Sequence, residues 1–209
     1  MTTKLTLYVD FRSPFSYLIK DEAFALADEY DIDITWRPFW TDLQAAYGGE
    51  VEQRTERDWR KVKYLYMDAR RLASRRGLIV RGTVKIFDPT IAHVAMLVAT
   101  DSGEAVFRRF HDTASEPFWK RELDIEDAAA VRALLVAAGA DGAVFDRALE
   151  SGEGAARCRA VVAEAEARGV FGVPTFVHDE SGELFWGTDR LWMLRERIAG
   201  KRRAGAAGR

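Results

Sequence analysis

The chain has 209 residues, 48% of them apolar and 31% charged, with a formal charge of −2. That length can bury one core, or one core with a helical subdomain, and the charge balance gives no reason to expect nucleic acid or an anionic membrane as a partner. No run of about 18 apolar residues is present for a membrane-spanning helix, and one cysteine excludes an internal disulfide.

Leu5, Leu7 and Val9 alternate with Lys4, Thr6 and Tyr8, which predicts a first strand. Ser13 then caps a helix near residues 14–30, because its hydroxyl can accept from a free first-turn N–H. Pro14 suits the first helical position, where its missing N–H costs nothing. Ile32, Ile34 and Trp36 alternate in a second strand stopped by Pro38, and a β-α-β unit of this kind gives a parallel pair. From about Thr41 to Glu150 the chain reads as helices. Thr55-Glu56-Arg57-Asp58 is a capped start, and Trp59, Val62, Tyr66, Ala69 and Ala73 repeat at helical spacing until Gly77. Pro89-Thr90 begins another helix, with Ile91, Val94, Ala95 and Val98 on one face; shorter helices are expected over Glu104–Ala114, Glu126–Ala137 and Gly142–Leu149. Arg70-Arg71 and Arg75-Arg76, with acids nearby, read as a solvated helix face. A helix carrying Cys158 ends near Gly169. A hairpin follows, Thr175 to His178 and Glu183 to Trp186, turning at Asp179-Glu180-Ser181-Gly182. Thr188 and Asp189 open the last helix, and the tail 201–209 is expected to fray.

The serine hydroxyl at the positive end of a helix dipole is a natural place to hold an anion such as a thiolate or carboxylate, although an ordinary Ser-Pro cap uses the same residues. No histidine partner for Ser13 is evident, which argues against a serine hydrolase. Cys158 reads as a small residue on a helix face and cannot run dithiol exchange alone. His93, His111 and His178 are too scattered for a local metal motif, so no structural zinc is expected. Phosphate-binding loops, dinucleotide fingerprints and nucleophile elbows are absent from the sequence. The N-terminus enters a strand without an apolar signal core, which together with the cysteine count fits a reducing cytoplasm.

Three segments belong together: Phe11-Arg12-Ser13-Pro14-Phe15-Ser16-Tyr17-Leu18 at the front, and Val170-Phe171-Gly172-Val173-Pro174-Thr175 and Phe185-Trp186-Gly187-Thr188-Asp189-Arg190-Leu191 at the back. A weaker Lys61-X-X-Tyr64-X-X-X-Asp68-X-X-Arg71 lies between them. With this set, spread over nearly the full chain, the sequence resembles the 2-hydroxychromene-2-carboxylate isomerases and kappa-class glutathione transferases. These form the serine-bearing branch of the DsbA-like thioredoxin superfamily. Ser-Pro-Phe-Ser stands where a redox enzyme of that superfamily carries Cys-Pro-X-Cys, so a dithiol oxidoreductase is disfavoured.

The resemblance implies an α/β fold: a thioredoxin-like domain split between residues 1–40 and 151–200, with an all-helical insertion over 41–150. It implies a homodimer and glutathione as cofactor. Ser13 would face the glutathione sulfur and favour the thiolate. Val173 and a cis Pro174 would line its cysteinyl amide, and Thr188 and Asp189 its γ-glutamyl end, with Asp189 on the ammonium; Trp186 and Gly187 would also line the glutathione site. The implied chemistry is thiolate addition to a conjugated double bond of an aromatic keto acid, rotation, and departure of the thiolate. Kappa-type transfer to an electrophile and a non-catalytic binding protein are the alternatives. Trp40 and Tyr64 as a ring wall, with Lys61 as a cation, form the candidate pocket for a flat anionic substrate. The sequence departs from the family pattern on that side: Gly77-Leu78-Ile79-Val80-Arg81-Gly82 is followed by no proline until Pro89, residues 47–52 lack the usual asparagine or lysine, and Thr188 replaces a common asparagine.

Overall fold

The computed structural model describes residues 2–44, 48 and 51–200; the tail 201–209, expected to fray, and residues 45–47, 49 and 50 lie outside the described residues. Strand β1 (Thr3–Val9) runs parallel to β2 (Ile32–Pro38), with Leu5 opposite Ile34 and Leu7 opposite Trp36. Helix α1 (Pro14–Glu29) connects them. After the helical section, β3 (Thr175–His178) pairs antiparallel with β1, and β4 (Glu183–Trp186) antiparallel with β3. The order is β2-β1-β3-β4. Leu5 to Val9 are all buried, as a central strand covered on both faces requires. Gly182 closes the β3–β4 turn at a φ of +70°, which costs a glycine no Cβ clash.

Between β2 and β3 lie α2 (Glu56–Arg75), α3 (Thr90–Asp101), α4 (Glu104–Lys120), α5 (Ala128–Ala137), α6 (Gly142–Glu150) and α7 (Glu153–Ala167). The start of α2 is a full capping box: Thr55 Oγ1 accepts from the Asp58 N–H at 3.3 Å, and Asp58 Oδ2 accepts from the Thr55 N–H at 3.1 Å. Helix α3 is buried from Ala92 to Ala99 and packs on α4, α5, α6, α7 and β2. A helix apolar all round is the expected centre of such a layer. Among the described residues no helix is long and apolar enough to cross a membrane.

Three local expectations are corrected. Helix α4 does not stop at Ala114 but runs through Pro117 to Lys120, ending at Arg121 with a φ of +62°. The extra turn buries Phe118 and Trp119. At about 1.5–3 kcal/mol for each buried aromatic, that outweighs the single backbone donor the proline lacks, because Pro117 lies within one turn of the helix end. The arginines of α2 are more than a solvated face. Arg70 donates to Val80 O and Arg81 O, both at 3.1 Å, and Arg76 reaches Leu18 O and the Glu22 carboxylate. They strap the 77–89 loop and α1 to the insertion. Thr188–Arg190 forms a 3-10 turn, and α8 begins only at Leu191 and ends at Ile198. Gly187 offers no side-chain cap, and a tightened first turn satisfies end groups that a cap would otherwise take.

Candidate functional site

Sheet topology decides where the site lies. The last residues of β1, β2 and β4 and the first of β3 share one end of the sheet, because Tyr8 stands opposite both Arg37 and Thr175, and Thr175 opposite Trp186. That end gathers Asp10–Ser13, Trp40–Thr41, Val173–Pro174 and Gly187–Asp189. Helix α3 adds His93 from its first turn.

Ser13 is the N-cap of α1, with extended backbone, and its Oγ accepts from the Ser16 N–H at 3.3 Å. Its own N–H donates to Asp10 O at 2.9 Å. The hydroxyl proton has no acceptor among the described residues, so it can be donated outward. Ser16 is buried, and its Oγ accepts from the Asp10 N–H at 3.3 Å. The second serine of the turn is therefore spent on the backbone.

Behind Ser13 stands a buried polar network. The Asp10 carboxylate, 0% exposed, accepts from Arg12 Nη2 at 2.8 Å, from the Arg12 N–H at 2.9 Å and from the Thr41 N–H at 3.0 Å. Burial by itself raises the Asp10 carboxyl, but the Arg12 guanidinium, His93 and the Thr41 N–H outweigh it and hold it below the ordinary carboxylate range. His93 is pushed down to about 4 by burial, with Asp10 3.7 Å away opposing. Its Nε2 accepts from the Phe11 N–H at 3.4 Å, so the proton of the neutral ring sits on Nδ1. Nδ1 and Thr41 Oγ1 are both buried, with no partner among the described residues. This network ties the front turn to β2 and α3.

On the facing side the Val173–Pro174 bond is cis. The turn is stapled by Thr175 Oγ1, which donates to Gly172 O at 2.6 Å, and by the Gly187 N–H, which donates to Pro174 O at 2.9 Å. The N–H and C=O of Val173 have no partner among the described residues, which leaves a short stretch of open backbone edge. Trp186 and Phe171 are 51% and 70% exposed, with ring centroids 5.0 Å apart. Trp186 lies so close over Gly172 that a Cβ there would come within 3.0 Å of its Nε1. The Thr188–Arg190 turn packs against α1. Asp189 is exposed, pairs with Arg190, and folds back over Gly187, where a Cβ would fall 2.8 Å from its Oδ1.

Ser13, Val173, Pro174, Trp186, Gly187, Thr188, Asp189 and Trp40 thus share one end of the sheet. Trp40 is half-buried, its ring centroid 6.1 Å from that of His93. Lys61 and Tyr64 are on the exposed side of α2. Tyr64, 60% exposed, lies about half a turn around the helix from buried Ala73. Sequence reasoning passed over Asp10, Thr41 and His93, which come from three separate elements. Asp10 carried the one available signal, an acid at the end of an otherwise apolar strand. Phe171 was quoted within a motif but given no role.

The local plan at this end of the sheet is a capped helix start facing a cis-proline turn. Consistent with it, the model of the DSBA-like thioredoxin domain matches residues 4–199. The chain belongs to the DSBA-like thioredoxin domain family. Among curated relatives, a 2-hydroxychromene-2-carboxylate isomerase of Sphingobium xenophagum is 27% identical over 194 residues, covering 93% of this chain and 97% of that protein. One of Pseudomonas putida is 29% identical over 193 residues, covering 90% of each. A solved structure of a 2-hydroxychromene-2-carboxylate isomerase superposes with a TM-score of 0.74 at 25% identity, covering 94% of this chain and 95% of that one. A probable DsbA oxidoreductase of Streptomyces coelicolor superposes with a TM-score of 0.73 at 18% identity, covering 99% and 94%. The scaffold is therefore shared with proteins named for redox work, and the function must be argued from the site.

Proposed function

We propose that this protein is a glutathione-dependent isomerase of the 2-hydroxychromene-2-carboxylate type. The observation that carries the reading is the pairing, across one end of the sheet, of an uncommitted Ser13 hydroxyl proton with an unpaired Val173 backbone edge. Two relatives bearing that name, each matching at least 90% of the chain, support it. The residues fit the cofactor. Val173 offers one N–H and one C=O, the pair that an extended peptide amide needs for strand addition. Beyond Gly187, whose own N–H is taken by Pro174 O, Thr188 and Asp189 open a turn whose N–H groups suit the γ-glutamyl carboxylate, and the Asp189 side chain provides a counter-charge for the ammonium. Trp186 flanks the same groove.

Bound glutathione supplies a thiolate, a nucleophile that adds reversibly to a conjugated double bond and so permits rotation about it. Ser13 would donate a hydrogen bond from its hydroxyl to that sulfur. That hydrogen bond and the positive end of α1 favour the charged form of the thiol. Ser13 forms no covalent bond, and no histidine stands ready to activate it. Trp40 supplies a ring surface for a planar substrate, with Lys61 and Tyr64 at the outer margin on the insertion.

The test is the ultraviolet-monitored interconversion of 2-hydroxychromene-2-carboxylate, with and without glutathione. Turnover that requires glutathione supports the proposal. Turnover independent of any thiol overturns the cofactor assignment. Conjugation of an aromatic electrophile without isomerisation would make the protein a transferase instead.

A further inference from the structure

Arg12 keeps one nitrogen of its guanidinium, Nη1, uncommitted among the described residues. Nε donates to both Asp10 oxygens, at 3.1 and 3.2 Å, and Nη2 to Asp10 Oδ2 at 2.8 Å. Nη2 also donates to Thr41 O at 3.3 Å. The two N–H groups of Nη1 have no acceptor among the described residues, yet the side chain keeps 13% of its surface exposed. The group is also held on one side by several hydrogen bonds. Asp10 is fully buried and held by the Thr41 N–H, so a planar fork is clamped from behind and its free edge is fixed in place. Lys20, also largely buried, is paired with Asp21 and Asp112, and Arg168 with Asp179.

The position is informative. Arg12 precedes Ser13, whose hydroxyl proton is free, and it grips the carbonyl of Thr41, which follows half-buried Trp40. An ordered donor edge, a hydroxyl and an indole thus border one corner. The Asp10–Arg12 pair is a dipole whose positive end is Nη1, so the corner favours an anion without carrying a full net charge. A carboxylate attached to a flat ring satisfies these groups together: its oxygens take the Nη1 donors while the ring meets Trp40.

We propose that Arg12, through Nη1, is the carboxylate-binding and specificity-determining residue of this site, selecting planar aromatic acids over their uncharged analogues. The proposal deepens the isomerase reading and rests on it for the catalytic use of the corner. It moves the role of substrate cation from Lys61, exposed on α2, to an arginine locked beside Ser13.

The test uses the full chain without glutathione, so its outcome is separate from that of the isomerase assay. Binding of 1-naphthoate and of 1-naphthamide is measured by calorimetry. The wild-type protein should bind the acid about tenfold more tightly than the amide, the size expected for one charge-assisted contact in a partly exposed site. Arg12→Lys keeps a cation opposite Asp10 but loses the Nη1 donors. It should bring the acid's affinity down to that of the amide and leave the amide's unchanged. Equal wild-type affinities, no binding of either compound, or an undiminished acid preference in Arg12→Lys would each overturn the proposal. Should Arg12→Lys fail to fold, nitrogen-15 spectra of the wild-type arginine side chains decide it. The Arg12 guanidinium signals should move with naphthoate and not with naphthamide; the same response to both, or to neither, refutes the assignment.

Discussion

Removing the Ser13 hydroxyl separates its two roles, helix cap and sulfur partner. As a cap it accepts one hydrogen bond, from the Ser16 N–H at 3.3 Å, from a half-buried position. A single long bond at the surface places Ser13→Ala near the low end of the range for N-cap loss, about 0.5–1 kcal/mol, so the fold should survive. As a sulfur partner the hydroxyl is worth more. An ordinary thiol near 8.5 is about 3% ionised at pH 7. If the hydrogen bond and the helix terminus together lower the bound thiol to about 6.5, the ionised share rises to about 76%. Losing the hydroxyl alone should return the thiol to about 7.5, equivalent to about 1.4 kcal/mol, and leave about 24% ionised. Glutathione affinity, carried by Val173 and Asp189, should change little. Turnover at pH 7 should fall at least about threefold through ionisation alone, and further because the donor acts on the reacting atom. The assay is a titration of thiolate absorbance in the glutathione complex of both proteins, paired with isomerisation rates. Coincident titration curves and equal rates would reduce Ser13 to a helix cap and refute the reasoning.

Asp189→Ala should raise the glutathione dissociation constant about tenfold by calorimetry, with an unchanged melting temperature, because the side chain is exposed and its ion pair is with the adjacent, likewise exposed Arg190. Acid should weaken the fold through two buried histidines. Burial lowers His93 to about 4 and His111 to about 3, while in the unfolded chain both take up a proton near 6.5. Between those values the unfolded state binds more protons, so stability falls as pH falls, by up to about 1.4 kcal/mol per pH unit for each histidine. Denaturation between pH 4.5 and 7.5, roughly this window, should show the slope, and His111→Gln should flatten it; a flat profile in the wild type would contradict the burial argument. Cys158 is fully buried, and burial pushes its thiol up to about 11 despite Arg157 and Arg159. It should resist alkylation at neutral pH until the chain is unfolded, and Cys158→Ala should leave turnover intact.

Much of the fold was legible because local chemistry and tertiary structure agree. The alternation at Leu5, Leu7 and Val9, the Ser13-Pro14 start, the Thr55–Asp58 box and the Asp179–Gly182 turn are each decided within a few residues. The nearest neighbours in sequence supply the caps, and the solvent supplies the periodicity. The arginines of α2 were misread because their partners, Val80, Arg81 and Leu18, are remote in sequence or lie in a loop with no pattern. Helix α4 runs past the expected end at Ala114 because the burial of Phe118 and Trp119, which sustains its last turn, is a tertiary quantity.

The site divides the same way. By itself the sequence determined which groups exist: a serine at a helix start, a Val-Pro turn, and an aspartate after Gly187, each declared by short-range rules. Only the tertiary structure decided how they meet. The strand order β2-β1-β3-β4 carries the ends of four strands to one rim of the sheet, and burial of Asp10 behind Arg12 turns a surface-type residue into a fixed donor. Charge and donor geometry in such a place depend on which atoms exclude water from it. Those atoms come from Thr41 and His93, on elements that no local rule connects to Ser13.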